Sequence, residues 1–93
     1  MSIVVRFSPN NLTAEQYDST TQKLEEAGIP FPPEGLQLHV CFGSDGDLRV
    51  SEVWDSREQF EAFGEQLMPV LAEAGIEFSG DPEVYEAHAV QGR

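Results

Sequence analysis

The sequence predicts one α+β domain in the order βαββαβ, an antiparallel sheet of four strands with two helices on one face. Three observations predict it. Apolar residues alternate in strand-like runs, two stretches open on capping boxes and close at glycine, and an Asp-Gly pair separates two adjacent alternating runs. At 93 residues the chain is expected to hold a single core, residues 1–93 forming one domain.

Ile3, Val5 and Phe7 alternate with Val4, Arg6 and Ser8, giving a first strand that Pro9, Asn10 and Asn11 end with turn chemistry. Thr13 with Gln16 forms a capping box, and Leu12 with Tyr17 has the spacing of a hydrophobic staple. A helix therefore starts at Thr13 and ends at Gly28. Pro30, Pro32 and Pro33 make an extended connection to a second strand, in which Leu36, Leu38, Val40 and Phe42 alternate with Gln37, His39 and Cys41. Asp45-Gly46 signals a tight hairpin of type I′, and the third strand runs from Leu48 to Trp54. Ser56 and Gln59 open a second helix whose stripe is Phe60, Phe63, Leu67, Val70, Leu71 and Ala74, kinked at Pro69 and closed by Gly75. After a turn over 79–82, residues 84–90 form the last strand. The helices share a Leu-x-Glu-Ala-Gly-Ile ending, which reads equally as pseudo-symmetry of two βαβ halves or as two independent uses of a good cap.

Seventeen Asp and Glu against five Lys and Arg give a formal charge of −12, so phosphate backbones and anionic lipid surfaces are repelled. No nucleic-acid or membrane partner is expected. The first ten residues lack a charged leader followed by an apolar run, no stretch has the length of a membrane span, and Cys41 is the only cysteine. A cytoplasmic protein without an internal disulfide is expected. A chain this short leaves much surface wet, which favours a homodimer.

With Asp45 and Gly46 as the turn, opposed residues sum to 91: Cys41 faces Val50, His39 faces Glu52 and Gln37 faces Trp54, all on one side of the sheet. The opposite side carries Leu36, Leu38, Val40, Phe42, Ser51 and Val53. Being the oilier set, it is expected to pack under the helices. The His39 side, mixing Trp54, Val50, Leu48 and Cys41 with polar groups, then suits a partly enclosed cavity lidded by the sheet of a second copy.

The order βαββαβ with the run Val53-Trp54-Asp55-Ser56-Arg57-Glu58-Gln59-Phe60 resembles the dimeric α/β barrel superfamily, in particular antibiotic-biosynthesis-monooxygenase-like proteins. The resemblance covers nearly the whole chain. It implies a ferredoxin-like domain that dimerises sheet to sheet, in a superfamily whose activities include cofactor-free oxygenation, heme degradation, isomerisation and cyclisation. The heme-degrading branch places a pocket tryptophan at Trp54. Its helix histidine, however, falls on Gly64, and its first-strand asparagine has no counterpart among Arg6, Phe7 and Ser8, so heme degradation is disfavoured.

His39 beside Glu52 has the makings of a general base oriented by a carboxylate. A cross-strand polar pair inside a dimer is the plainer reading. Around them Trp54 and Cys41 would wall the cavity, with Gln37 or Arg6 meeting a substrate oxygen and His88 sharing the space. His39 and Cys41 with Glu52 or His88 offer too few assured ligands for a metal site, so none is expected. Two functions follow. One is a homodimeric enzyme that acts without a bound cofactor on an aromatic or polyketide-like molecule, as a monooxygenase, cyclase or isomerase. The other is a non-catalytic metabolite-binding or dimerisation module.

Overall fold

The computed structural model describes residues 1–91 and contains β1 (Ile3–Phe7), α1 (Ala14–Glu26), β2 (Leu36–Ser44), β3 (Asp47–Trp54), α2 (Arg57–Glu73) and β4 (Glu83–Glu86). The expected order holds. The strands lie β2-β3-β1-β4 in one sheet, and each neighbouring pair is antiparallel. This is the ferredoxin-like arrangement, with α1 and α2 on the same side of the sheet.

Both helices begin where their polar caps place them. The Gln16 N–H donates to Thr13 Oγ1 at 3.0 Å while the Thr13 N–H donates to Gln16 Oε1 at 3.0 Å, completing the capping box. At Ser56 the Gln59 N–H donates to Oγ at 3.2 Å. Both also end alike: Ile29 N–H to Leu24 O and Gly28 N–H to Glu25 O in α1 are matched by Ile76 to Leu71 and Gly75 to Ala72 in α2. These are Schellman motifs, and they require Gly28 and Gly75 at φ of 73° and 75°. The shared hexapeptide ending is thus one capping device used twice. α2 continues through Pro69 as one helix.

The hairpin pairs His39 with Glu52, Cys41 with Val50 and Ser44 with Asp47, as the sum rule predicts. Its turn differs from expectation. Of the central residues only Gly46 has positive φ (89°), so the turn is not type I′. Asp45 is held instead by the α1 N-terminus, whose Ala14 N–H donates to Asp45 Oδ1 at 2.9 Å. A second difference lies at the far end: a register shift between Leu36 and Leu38 places Leu36, not Gln37, opposite Trp54.

The largest correction concerns the faces. β1 sets the inner one, because Ile3, Val5 and Phe7 pair with Trp54, Glu52 and Val50. Val5 and Trp54 are fully buried, and Ile3, Leu24, Phe63 and Val70 join them in the core. The side carrying His39, Glu52 and Trp54 therefore lies under the helices. Leu38, Val40 and Phe42 face outward, 55%, 41% and 41% exposed. The helices of the same chain, rather than a second sheet, cover the His39 side. β4 is also shorter than expected, closing at Glu86.

Leu24 brings α1 onto this core and is 3% exposed. Leu24→Ala is expected to lower unfolding free energy by about 2–5 kcal/mol. Urea denaturation should show the midpoint falling with the slope unchanged.

Candidate active site

The sheet's inner face and α1 bring four side chains into one hydrogen-bonded chain. Glu52, only 5% exposed, has both carboxylate oxygens engaged. Trp54 donates its indole N–H to Oε1 at 3.0 Å, and His39 Nδ1 lies 2.6 Å from Oε2. A buried carboxylate is tolerated only when paired in this way, since desolvating an unpaired charge costs several kcal/mol. With Nδ1–H donated to Glu52, His39 Nε2 faces Tyr17 Oη at 2.7 Å. In neutral imidazole Nε2 accepts the phenol proton.

Aromatic packing fixes the imidazole further. Tyr17 stacks on it at a centroid distance of 5.9 Å, and Phe31, from the α1–β2 connection, meets it edge-on at 5.1 Å. Phe31 also touches Phe63 of α2. The ring is held on both flanks as well as at both nitrogens.

Tyr17, His39 and Glu52 line a cavity of about 80 Å³ whose remaining wall is almost wholly apolar, including Leu24, Phe31, Val50 and Phe63. Phe7, Glu52, Phe63, Leu67 and Phe78 also border a wider space of about 620 Å³. That space lies between α2 and the segment 77–82. The second volume is that of an ordinary small-molecule pocket.

Burial, then the negative charge at Cys41, Glu52 and Asp18, raises the Tyr17 phenol above its usual 10.0. Tyr17 is therefore held as a neutral proton donor at physiological pH. Burial likewise raises the Cys41 thiol, ahead of the charge of Asp18, so the sulfur is not poised as a thiolate nucleophile. Among the described residues no group of three His, Cys, Asp or Glu side chains could hold a metal ion.

Of the residues singled out in the sequence, His39, Glu52 and Trp54 come together, whereas others are placed elsewhere. Trp54 lies behind the cavity wall, packed against Phe60 and Phe63 and bonded to Glu52. Cys41 sits half-buried on the same sheet face. Arg6 does not reach the cavity: it pairs with Ser51 and projects exposed from the outer face. Gln37 sits at the β2 irregularity, exposed, donating to Ser2 Oγ and Asp55 Oδ1. His88 is exposed beyond the end of β4. Sequence reasoning missed Tyr17 as a site residue, although Tyr17, Thr20, Thr21 and Leu24 share a helical stripe that lines the cavity.

No protein-family model matches the chain, and no curated protein matches it in sequence. Solved structures match it in shape. An antibiotic biosynthesis monooxygenase candidate from Deinococcus radiodurans gives a TM-score of 0.55 at 19% identity, covering 100% of this chain and 98% of that one. SnoaB, a cofactor-independent oxygenase from Streptomyces nogalater, gives 0.57 at 14% identity over 99% and 96% of the two chains. A second monooxygenase candidate, from Chloroflexus aurantiacus, gives 0.54 at 20% over 98% and 95%. At these identities the likeness is one of fold: over its whole length the chain has the ferredoxin-like fold of antibiotic biosynthesis monooxygenase structures.

The raised Tyr17 pKa makes a sign-specific forecast. Above pH 10.0 the unfolded phenol ionises while the folded one keeps its proton, so this contribution to stability is complete below that pH and is lost as pH rises. In a Tyr85→Phe background the phenolate absorbance of Tyr17 should rise with a midpoint above 10.0. Tyr17→Phe should flatten the alkaline fall in stability.

Proposed function

We propose that the protein is a small-molecule enzyme that works without a bound cofactor, using the Tyr17–His39–Glu52 chain to move a proton at the inner end of an apolar cavity. The observation that carries this reading is the chain itself, with Nδ1 of His39 on the Glu52 carboxylate and Nε2 on the Tyr17 hydroxyl at 2.6 and 2.7 Å. Glu52 fixes the tautomer and orientation of the imidazole. His39 is the base, and Tyr17 either hands it the substrate's proton or yields its place to a substrate hydroxyl. An aromatic or polyketide-like substrate fits the apolar, aromatic wall. Loss of a proton from its ring hydroxyl or enol is the step from which oxygenation, cyclisation or isomerisation can each begin. The full-length fold likeness to SnoaB, a cofactor-independent oxygenase, supports placing oxygenation first.

A non-catalytic module, metabolite-binding or dimer-forming, is the second reading, and a different observation favours the absence of catalysis. Among the described residues no buried side-chain nitrogen or oxygen lacks a hydrogen-bond partner, so the polar chain is self-satisfied and needs no ligand to complete it.

Turnover of a bound ligand distinguishes the two. Neutral aromatic compounds that raise the melting temperature should be incubated with enzyme and oxygen and followed by mass spectrometry. His39→Ala should retain binding and lose about 10²–10⁴-fold in turnover. Unchanged turnover would sink the proton-transfer role, and binding with no turnover in any condition would leave the metabolite-binding module.

The functional unit we propose is a homodimer formed through the outer sheet face. Leu38, Val40, Phe42 and Tyr85 are each more than two-fifths exposed there, and Val53 lies alongside on β3. Such an apolar sheet face is suited to a second copy. Sedimentation equilibrium should give twice the chain mass. Val40→Lys should give a folded monomer, whereas a wild-type monomer would refute the dimer.

A further inference from the structure

Gly64 stands at the middle of α2, where glycine weakens a helix relative to alanine. Neither usual reason for a glycine applies. Its φ is not in the left-handed region, and a Cβ built on it meets no atom within 4 Å beyond its own helix. The space it leaves is the wide outer chamber, which Gly64 lines together with Phe60, Leu67 and Met68 on one side and Ser79 to Pro82 on the other.

The outer chamber meets the inner one along shared walls. Phe7, Glu52, Phe63, Leu67 and Phe78 border both. The inner cavity, at about 80 Å³, accepts only the narrow end of a molecule, whereas the outer space of about 620 Å³ has room for its bulk. The outer chamber also carries Glu52, Glu77 and Asp81 and no Lys or Arg, which disfavours an anionic body.

We propose that Gly64 is a specificity-determining position: its missing side chain sets how large an uncharged apolar molecule can be while its tip reaches Tyr17 and His39. This deepens the small-molecule reading of the same pocket and rests on it. The ligand class is a neutral molecule longer than one ring, entering between α2 and the 77–82 segment. A side chain at position 64 shortens what fits without touching the polar chain.

Benzyl alcohol and biphenyl-4-methanol form a matched pair of neutral probes with one ring and two. Trp54 is the sole tryptophan, so its indole N–H gives a single NMR cross-peak beside Glu52 that reports arrival at the inner end. Titrations should be run on wild type, Gly64→Ala, Gly64→Leu and Gly64→Phe, with circular dichroism confirming the fold of each. Gly64→Ala should melt a few degrees higher and bind both probes as wild type does. Gly64→Leu and Gly64→Phe should weaken the two-ring probe by about tenfold or more and leave the one-ring probe within about threefold. Equal affinity of every variant for the larger probe would overturn the role of Gly64 while leaving the pocket intact. Equal loss of both probes in folded variants would also overturn it, since the side chain would then act on the inner cavity. A wild-type protein that binds neither probe would remove the small-molecule reading and this inference together.

Discussion

A carboxylate buried beneath two helices is the constraint on which the arrangement depends. Glu52 occupies the centre of the inner sheet face, opposite Val5 on one side and His39 on the other, where a charge survives only if hydrogen bonds replace its lost water. Trp54 supplies one from its own strand and His39 supplies the other from β2. Because the bond to Nδ1 commits the remaining nitrogen to the Tyr17 hydroxyl, the carboxylate also decides how α1 sits over the sheet. Removing Glu52 would leave two polar groups, the Trp54 indole N–H and His39 Nδ1, without their partner, and removing His39 would leave a buried charge half satisfied. The site and the packing of the first helix are therefore one interaction seen from two directions.

The pairing of His39 with Glu52 was legible in the sequence because a two-residue turn at Asp45-Gly46 leaves one register, whatever the turn type. Which side of the sheet faces the helices was not legible from that hairpin. Leu36, Leu38, Val40 and Phe42 form the oiliest alternating set, yet β2 is an edge strand and its outward side chains need not be core. The decisive information lies in β1, where Ile3, Val5 and Phe7 oppose Arg6 and Ser8 across the strand. That alternation transfers to the hairpin only through the register of β1 against β3, a long-range pairing no local turn specifies. The same register takes Arg6 out of the candidate site: it shares β1 with Val5, which opposes Glu52, but stands one residue away and so on the other face.

Tyr17 shows the complementary limit. Its position one turn after Thr13 explains it adequately as part of a helix start, and nothing local marks it as a partner for a histidine 22 residues later. Its stripe with Thr20, Thr21 and Leu24 shows which side of α1 meets the sheet. The identity of the residue beneath follows only when the strand order β2-β3-β1-β4 puts β2 within its reach. Cavities at helix–sheet boundaries are legible to this degree: the stripe is in the sequence, the partner across the gap is not.

The repeated helix ending connects capping to the site. Each Schellman turn reverses the chain with an isoleucine packed back over the last helical turn, so the residues that follow are aimed along the sheet's inner side. After α1 this delivers Phe31 onto the edge of His39 and against Phe63. After α2 it delivers Ile76 and Phe78 to the wall that the two chambers share, where Phe78 packs on Phe7. The Asn10 N–H donating to Glu77 O at 2.7 Å and the bridge between Pro9 and Phe78 tie that second exit to the end of β1. Part of the cavity wall, at Phe31, Ile76 and Phe78, is thus a product of helix termination. Two glycines remote from the imidazole, Gly28 and Gly75, accordingly govern the shape of the space in front of it.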